Sequence, residues 1–275
     1  MDVHVDRHPA RAANPAAAPL LLLHGLGGDR HSWRPVLDGL RAEREVLVAE
    51  LPGFGASPPL PAPLEPTPRA LARSIAAALD QLGVDRPHVA GVSLGGWTAL
   101  ELALLGHARS VVALAPAGFW SRPLDPSSGG ARRAGRRAAP LLPLLLSLPP
   151  LRARVLGGVL GGPGRFGRAD ALALVRGYVA APDFERVDAA MRANVFARDQ
   201  LAELAARLPV HLVWCGRDRL VTPPRAPLPA AVHQHRLAEA GHLPMFDDPA
   251  AVIGLVAAAT AAADRAPLPD PVGER

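Results

Sequence analysis

The chain has 275 residues, of which 49% are hydrophobic and 20% charged. That is enough apolar material for a large buried core, and it excludes a disordered or purely fibrous chain. The formal net charge is +5 and aromatic residues make up only 4%, so no base-stacking surface is expected and nucleic acid is not an expected partner. All thirty cationic residues are arginine, which fits a coding bias better than a selected basic face.

No apolar run reaches the eighteen or so residues needed to cross a bilayer. The stretch 141–151 is short and broken by Pro143, Pro149 and Pro150. The first residues mix acids and bases and do not read as a secretory signal. A single cysteine, Cys215, excludes an internal disulfide framework. These features together predict a soluble cytoplasmic protein.

In chain order, compact apolar runs at 20–23, 46–49, 88–90, 111–114 and 210–214 suit central strands, and 233–237 suits a last one. Helical spacing covers 33–40, 69–82, 96–105 and 249–262. The alternation predicts an α/β fold, a mostly parallel central sheet flanked by helices. Between about 117 and 198 the rhythm breaks into Gly/Pro clusters and helical stretches, so this segment is expected to be a helical insertion. The expected division is therefore a core of 1–116 and 199–275 and an insertion of 117–198. The tail 264–275 is Pro-rich and expected to be mobile.

Gly91-Val92-Ser93-Leu94-Gly95 follows one strand run and opens a helix. Glycines on both sides permit the tight turn that would hold Ser93 exposed, with the helix dipole facing a developing anion. A serine hydroxyl needs a base. His242, in Ala240-Gly241-His242, and Asp218, in Gly216-Arg217-Asp218, each follow a strand run, so both are expected at the sheet's carboxyl edge. The order Ser93, Asp218, His242 is the one that accompanies a nucleophile elbow. His24-Gly25-Leu26-Gly27-Gly28 follows the first strand run, and the backbone N–H groups of Leu26 and Leu94 are the expected oxyanion donors.

These motifs, with Leu51-Pro52-Gly53-Phe54-Gly55-Ala56-Ser57 and Trp214-Cys215-Gly216, resemble those of the α/β-hydrolase superfamily, in its serine-nucleophile branch with a helical cap. The resemblance covers about 20–120 and 205–262 and implies an α/β-hydrolase fold. Glu50 stands where such proteins more often have Asp, and the region before Leu20 is short for their opening hairpin, so fewer than eight strands are expected. It implies a carboxylic ester hydrolase acting on an apolar small or medium acyl substrate through an acyl-enzyme. Two alternatives stay open: a C–C bond hydrolase for vinylogous diketones with the same triad, and a non-catalytic ligand-binding protein. Serine at the elbow argues against epoxide and haloalkane chemistry, which use an aspartate there, and the segment 115–117 after the neighbouring strand offers no carboxylate.

Trp97, Phe119 and Trp120 either line an acyl pocket or pack the cap onto the sheet. The run 141–151 either roofs that pocket or forms cap core. Arg132, Arg133, Arg136 and Arg137 either steer an anionic substrate or form a solvated charge run. His233 and His235 share one strand face, but no third ligand is seen at suitable spacing. No cofactor and no metal are expected.

Overall fold

The computed structural model describes residues 3–12, 14, 17–125, 127, 129–162 and 166–265. The predicted tail therefore lies, beyond residue 265, outside the described residues, as do parts of both Gly/Pro clusters. Among the described residues seven strands form one sheet: β1 (Val5–His8), β2 (Leu20–Leu23), β3 (Val46–Ala49), β4 (His88–Val92), β5 (Ser110–Leu114), β6 (Val210–Cys215) and β7 (His233–Leu237), in the order β1-β3-β2-β4-β5-β6-β7. Only β1 runs antiparallel, against β3. β1 itself has no apolar alternation, so sequence pattern missed it.

The central strands β2 to β5 are buried along their whole length, as expected where helices cover both faces of a parallel sheet. Alternate side chains feed two cores. Leu21, Leu23 and Leu47 pack with Leu71, Ile75, Leu100 and Leu201 on one face, and Leu20, Leu22 and Val48 pack with Trp33, Val36, Val252 and Val256 on the other. The first core is covered by α2 (Pro68–Gln81) and α3 (Leu94–Leu104), the second by α1 (Arg34–Leu40). The edge strand β7, His-Gln-His-Arg-Leu, is largely solvent-facing, and its polar side chains discourage edge-to-edge pairing.

Between β5 and β6 the described residues form helices: α4 (Gly130–Ala138), α5 (Leu142–Leu145), α6 (Pro149–Leu156), α7 (Arg168–Ala180), α8 (Phe184–Arg192) and α9 (Arg198–Arg207). Leu201 and Leu204 of α9 join the sheet's first core, whereas Leu142, Leu146, Leu156, Leu160 and Phe166 make a separate small core above it. After β7 come α10 (Pro244–Asp247) and α11 (Pro249–Asp264), the latter packed beside α1.

Candidate active site

Four loops at the carboxyl ends of β2, β4, β6 and β7 carry the site residues. Ser93 sits between β4 and α3 with φ +56° and ψ −118°, a conformation that L-residues adopt only when the surroundings enforce it. Its N–H donates to Leu114 O at 2.9 Å, and its carbonyl accepts from Trp97 at 3.1 Å and Ala117 at 3.1 Å. The flanking glycines are sterically obligatory. A Cβ on Gly91 would lie 2.2 Å from Gly95 O, and one on Gly95 would lie 2.3 Å from Leu23 O. Strand and helix approach too closely there for any side chain.

The loops after β6 and β7 are zipped together by Gly216 N–H to Leu237 O (2.8 Å) and Arg217 N–H to Ala240 O (2.9 Å). This brings Asp218 and His242 together: Nδ1 of His242 lies 2.8 Å from Asp218 Oδ2, with side-chain exposures of 8% and 1%. Asp218 Oδ1 accepts from the N–H groups of Leu220 (2.7 Å) and Val221 (3.0 Å). Burial pushes the Asp218 carboxyl up, but the His242 hydrogen bond and charge, with the Val221 and Leu220 N–H groups, hold it below the usual carboxylate range. An ionised carboxylate only accepts, so it assigns the proton of neutral His242 to Nδ1 and leaves Nε2 as a bare acceptor. Ser93, 8% exposed, has no side-chain hydrogen bond among the described residues, to His242 or to any other group.

The N–H groups of Leu26 and Leu94 meet no acceptor among the described residues. Their loop is held from behind by His24, a role that sequence reasoning missed. His24 is fully buried. Its Nδ1 lies 2.8 Å from Gly25 O, and its Nε2 accepts from Leu51 N–H at 3.0 Å. Burial lowers its pKa, only partly offset by the Gly25 carbonyl, and the neutral ring ties the β2 loop to the β3 loop. Glu50 is also buried, accepting from Arg30 Nη1 (2.9 Å) and Ala56 N–H (2.6 Å). A Cβ on Gly55 would fall 2.2 Å from that carboxyl, which accounts for glycine there. An acid at the end of a strand run, followed by Gly-Phe-Gly-Ala-Ser, was the only signal for this anchor.

Asp247 gives the His242 loop its second support. Its Oδ2 accepts from Gly161 N–H and Gly241 N–H, both at 2.8 Å, and its Oδ1 from Gly162 N–H at 3.0 Å. Leu243 N–H donates to Val159 O at 3.1 Å. The loop after α6 is thus fastened to the residue preceding His242, and no sequence signal marked it.

The three aromatics proposed for a pocket pack among themselves and their neighbours. Trp97 donates to Glu101 Oε1 (3.1 Å) and meets Trp120 edge-on at 5.6 Å, and Trp120 donates to Asn194 O (2.7 Å). Phe119 meets Trp214 edge-on at 5.6 Å. A cavity of about 350 Å³ lies beside the loop after β2, lined by Gly28, Asp29, His31, Arg176, Gly177 and Pro182 among others. Tyr178 and Phe184 close over Gly27, where a Cβ would meet their rings at 2.8 and 3.1 Å.

Arg132 is buried, not steering: it donates to Tyr178 O (3.0 Å), Ala181 O and Glu185, and lies 4.9 Å above the Phe184 ring. The third imidazole absent from the sequence reading is present, because His211 of β6 pairs directly with His233. The rings stack face to face at interplanar angles of 18° and 14°. Among the described residues no group of His, Cys, Asp or Glu is arranged to hold a metal ion, and no helix is long and apolar enough to cross a membrane.

Residues 20–255 match the family model described as "Alpha/beta hydrolase family". The chain belongs to that family. Among its curated relatives, this alpha/beta hydrolase is 31% identical over 207 residues to "Epoxide hydrolase EphH" of Mycobacterium tuberculosis, covering 68% of this chain and 91% of that one. It is 30% identical over 234 residues to the "Dihydrolipoyllysine-residue acetyltransferase component of acetoin cleaving system" of Pseudomonas putida, covering 82% of this chain and 58% of that one. Among solved structures, a thermophilic esterase from Thermogutta terrifontis superposes with a TM-score of 0.69 at 21% identity, over 95% of this chain and 94% of that chain. That likeness supports the fold of this alpha/beta hydrolase.

Proposed function

We propose that this hydrolase uses Ser93, His242 and Asp218 to cleave a carboxylic ester with an apolar small or medium acyl group. The observation that carries the reading is the 2.8 Å pair of His242 and buried Asp218, on the same sheet edge as a serine held at φ +56°. His242 Nε2 takes the Ser93 proton as the hydroxyl attacks the ester carbonyl. The N–H groups of Leu26 and Leu94, which meet no other acceptor among the described residues, receive the oxyanion. His242 then protonates the leaving alcohol, and water enters to release the acid by the reverse sequence. Asp218 fixes the imidazole tautomer and stabilises its cationic form.

The similarity to a protein named as an epoxide hydrolase does not extend this reading to epoxides. Opening an epoxide through an ester intermediate needs a carboxylate at the elbow, and this elbow carries a hydroxyl. The apolar acyl preference rests on Ala173, Ala180, Ala181 and Pro182, which line the cavity beside the β2 loop and belong to residues 117–198, the segment we read as the cap. A cytoplasmic location belongs to the same reading.

The test is turnover of nitrophenyl esters of increasing acyl length beside a vinylogous diketone. Ester hydrolysis that is fastest at short or medium chain length, and lost in S93A, supports the proposal. Diketone cleavage with inert esters transfers the triad to the C–C bond reaction, and inertness toward both favours a binding protein.

A further inference from the structure

The segment from α4 to α6 has an outward face that a water-soluble helical cap does not need. Leu142, Leu146 and Leu156 point into the small cap core with Leu160 and Phe166. Leu141, Leu144, Leu148, Leu151 and Val155, beside or between those positions, are 56, 65, 49, 37 and 53% exposed. They are five of the nine large apolar side chains exposed among the described residues, so the exposed apolar side chains concentrate in the one stretch 141–155 of the chain. Gathered patches of this kind mark contact surfaces.

Charge says what the contact is. Residues 130–168 contain eight arginines and no acidic residue. Arg132 is internal, but Arg133, Arg136, Arg137, Arg154 and Arg168 are exposed. Two of them lie next to this stretch: Arg168 Nη2 donates to Pro143 O at 3.1 Å, and Arg137 is in the last turn of α4, which runs into Leu141 through a 3-10 turn. An apolar strip edged by cations, lying along short helices, fits the boundary between lipid headgroups and acyl chains. A second copy of this chain fits badly, because it would set arginines against arginines. Nucleic acid fits badly too, since the only aromatic side chain of the segment, Phe166, is buried.

We propose that the α4–α6 face docks on an anionic lipid bilayer surface, with Leu144 and Leu148 entering the interface and Arg133 and Arg137 meeting acidic headgroups. The docking is peripheral and does not depend on the chemistry at Ser93.

The experiment is co-sedimentation of the full chain with phosphatidylcholine vesicles, with and without phosphatidylglycerol, at low and high salt. The wild type is expected to sediment with phosphatidylglycerol-containing vesicles, and at high salt to lose much of that binding. The pairs L144E/L148E and R133E/R137E should each lower partitioning by about tenfold or more, with unchanged thermal unfolding and unchanged turnover of a short soluble ester. No sedimentation of the wild type, equal binding to pure phosphatidylcholine, or undiminished binding of L144E/L148E overturns the proposal. A wild-type dimer in gel filtration that L144E/L148E splits, without vesicle binding, would assign the face to a second copy instead.

Discussion

Replacing Asp218 by Asn changes few atoms and tests the arrangement around His242 closely. The two carboxylate oxygens serve three donors: Oδ2 takes His242 Nδ1–H, while Oδ1 takes the N–H groups of Leu220 and Val221. An amide has one accepting oxygen. The two backbone donors cannot turn away, so the oxygen is expected to stay with them and the NH₂ to face the imidazole. His242 must then accept at Nδ1 and carry its proton on Nε2, the wrong tautomer for taking a proton from Ser93. The lost charge adds to this. With charge centres about 4 Å apart and an effective dielectric near 20, the carboxylate stabilises the imidazolium by about 4 kcal/mol, close to a thousandfold in rate. Tautomer and charge together predict a fall in kcat of roughly 10³ to 10⁴ with KM little changed. The assay is steady-state hydrolysis of a nitrophenyl ester by wild type and D218N, with circular dichroism to show that both fold. A D218N enzyme within about fivefold of wild-type kcat would refute the assigned role.

Other perturbations follow from the same geometry. Gly95→Ala places a Cβ 2.3 Å from the Leu23 carbonyl oxygen, so it should destabilise by more than about 3 kcal/mol or block folding. Gly254→Ala, on α11 with open space around it, should be neutral or stabilising by up to about 1 kcal/mol in the same thermal unfolding measurement. Asp247→Asn leaves one of three gathered N–H groups facing an amide donor, so kcat should fall about tenfold, and Asp247→Glu should recover part of it. Equal activity of all three would dissociate this clamp from catalysis. Buried His88 has its pKa pushed down to about 4, chiefly by burial and against the pull of Asp264. The unfolded chain therefore binds that proton first, so stability is full above about pH 6.5 and falls by roughly 3 kcal/mol as the pH drops toward 4. Half-buried His211, also at about 4, adds a smaller share. Urea unfolding across this range measures the slope, which H88Q should reduce.

The sheet was legible because its inner strands, such as Leu20–Leu23 and Val46–Ala49, are buried on both faces and so read as unbroken apolar runs. The elbow was legible because Gly91 and Gly95 are forced by backbone contacts that any sequence making this turn must satisfy. Asp218 and His242 were legible from their positions after strands. What stayed hidden depends on partners remote in the chain. Nothing near Arg132 announces that it will be buried against the carbonyls of Tyr178 and Ala181. His24 showed only as part of a Gly-rich turn, although its ring holds Leu51. His211 became neighbour to His233 through strand register, which no local pattern reports. β1 was missed because Val-Asp-Arg-His pairs at a polar edge, where burial imposes no alternation.

The central claim is that Ser93 is a nucleophile made reactive by its surroundings. Treatment of the intact protein with a fluorophosphonate, followed by peptide mass spectrometry, reads that claim directly. The account predicts one stoichiometric adduct on Ser93, absent in S93A and greatly slowed in H242A. An unmodified Ser93 in folded protein, or an adduct that forms as fast without His242, would contradict it.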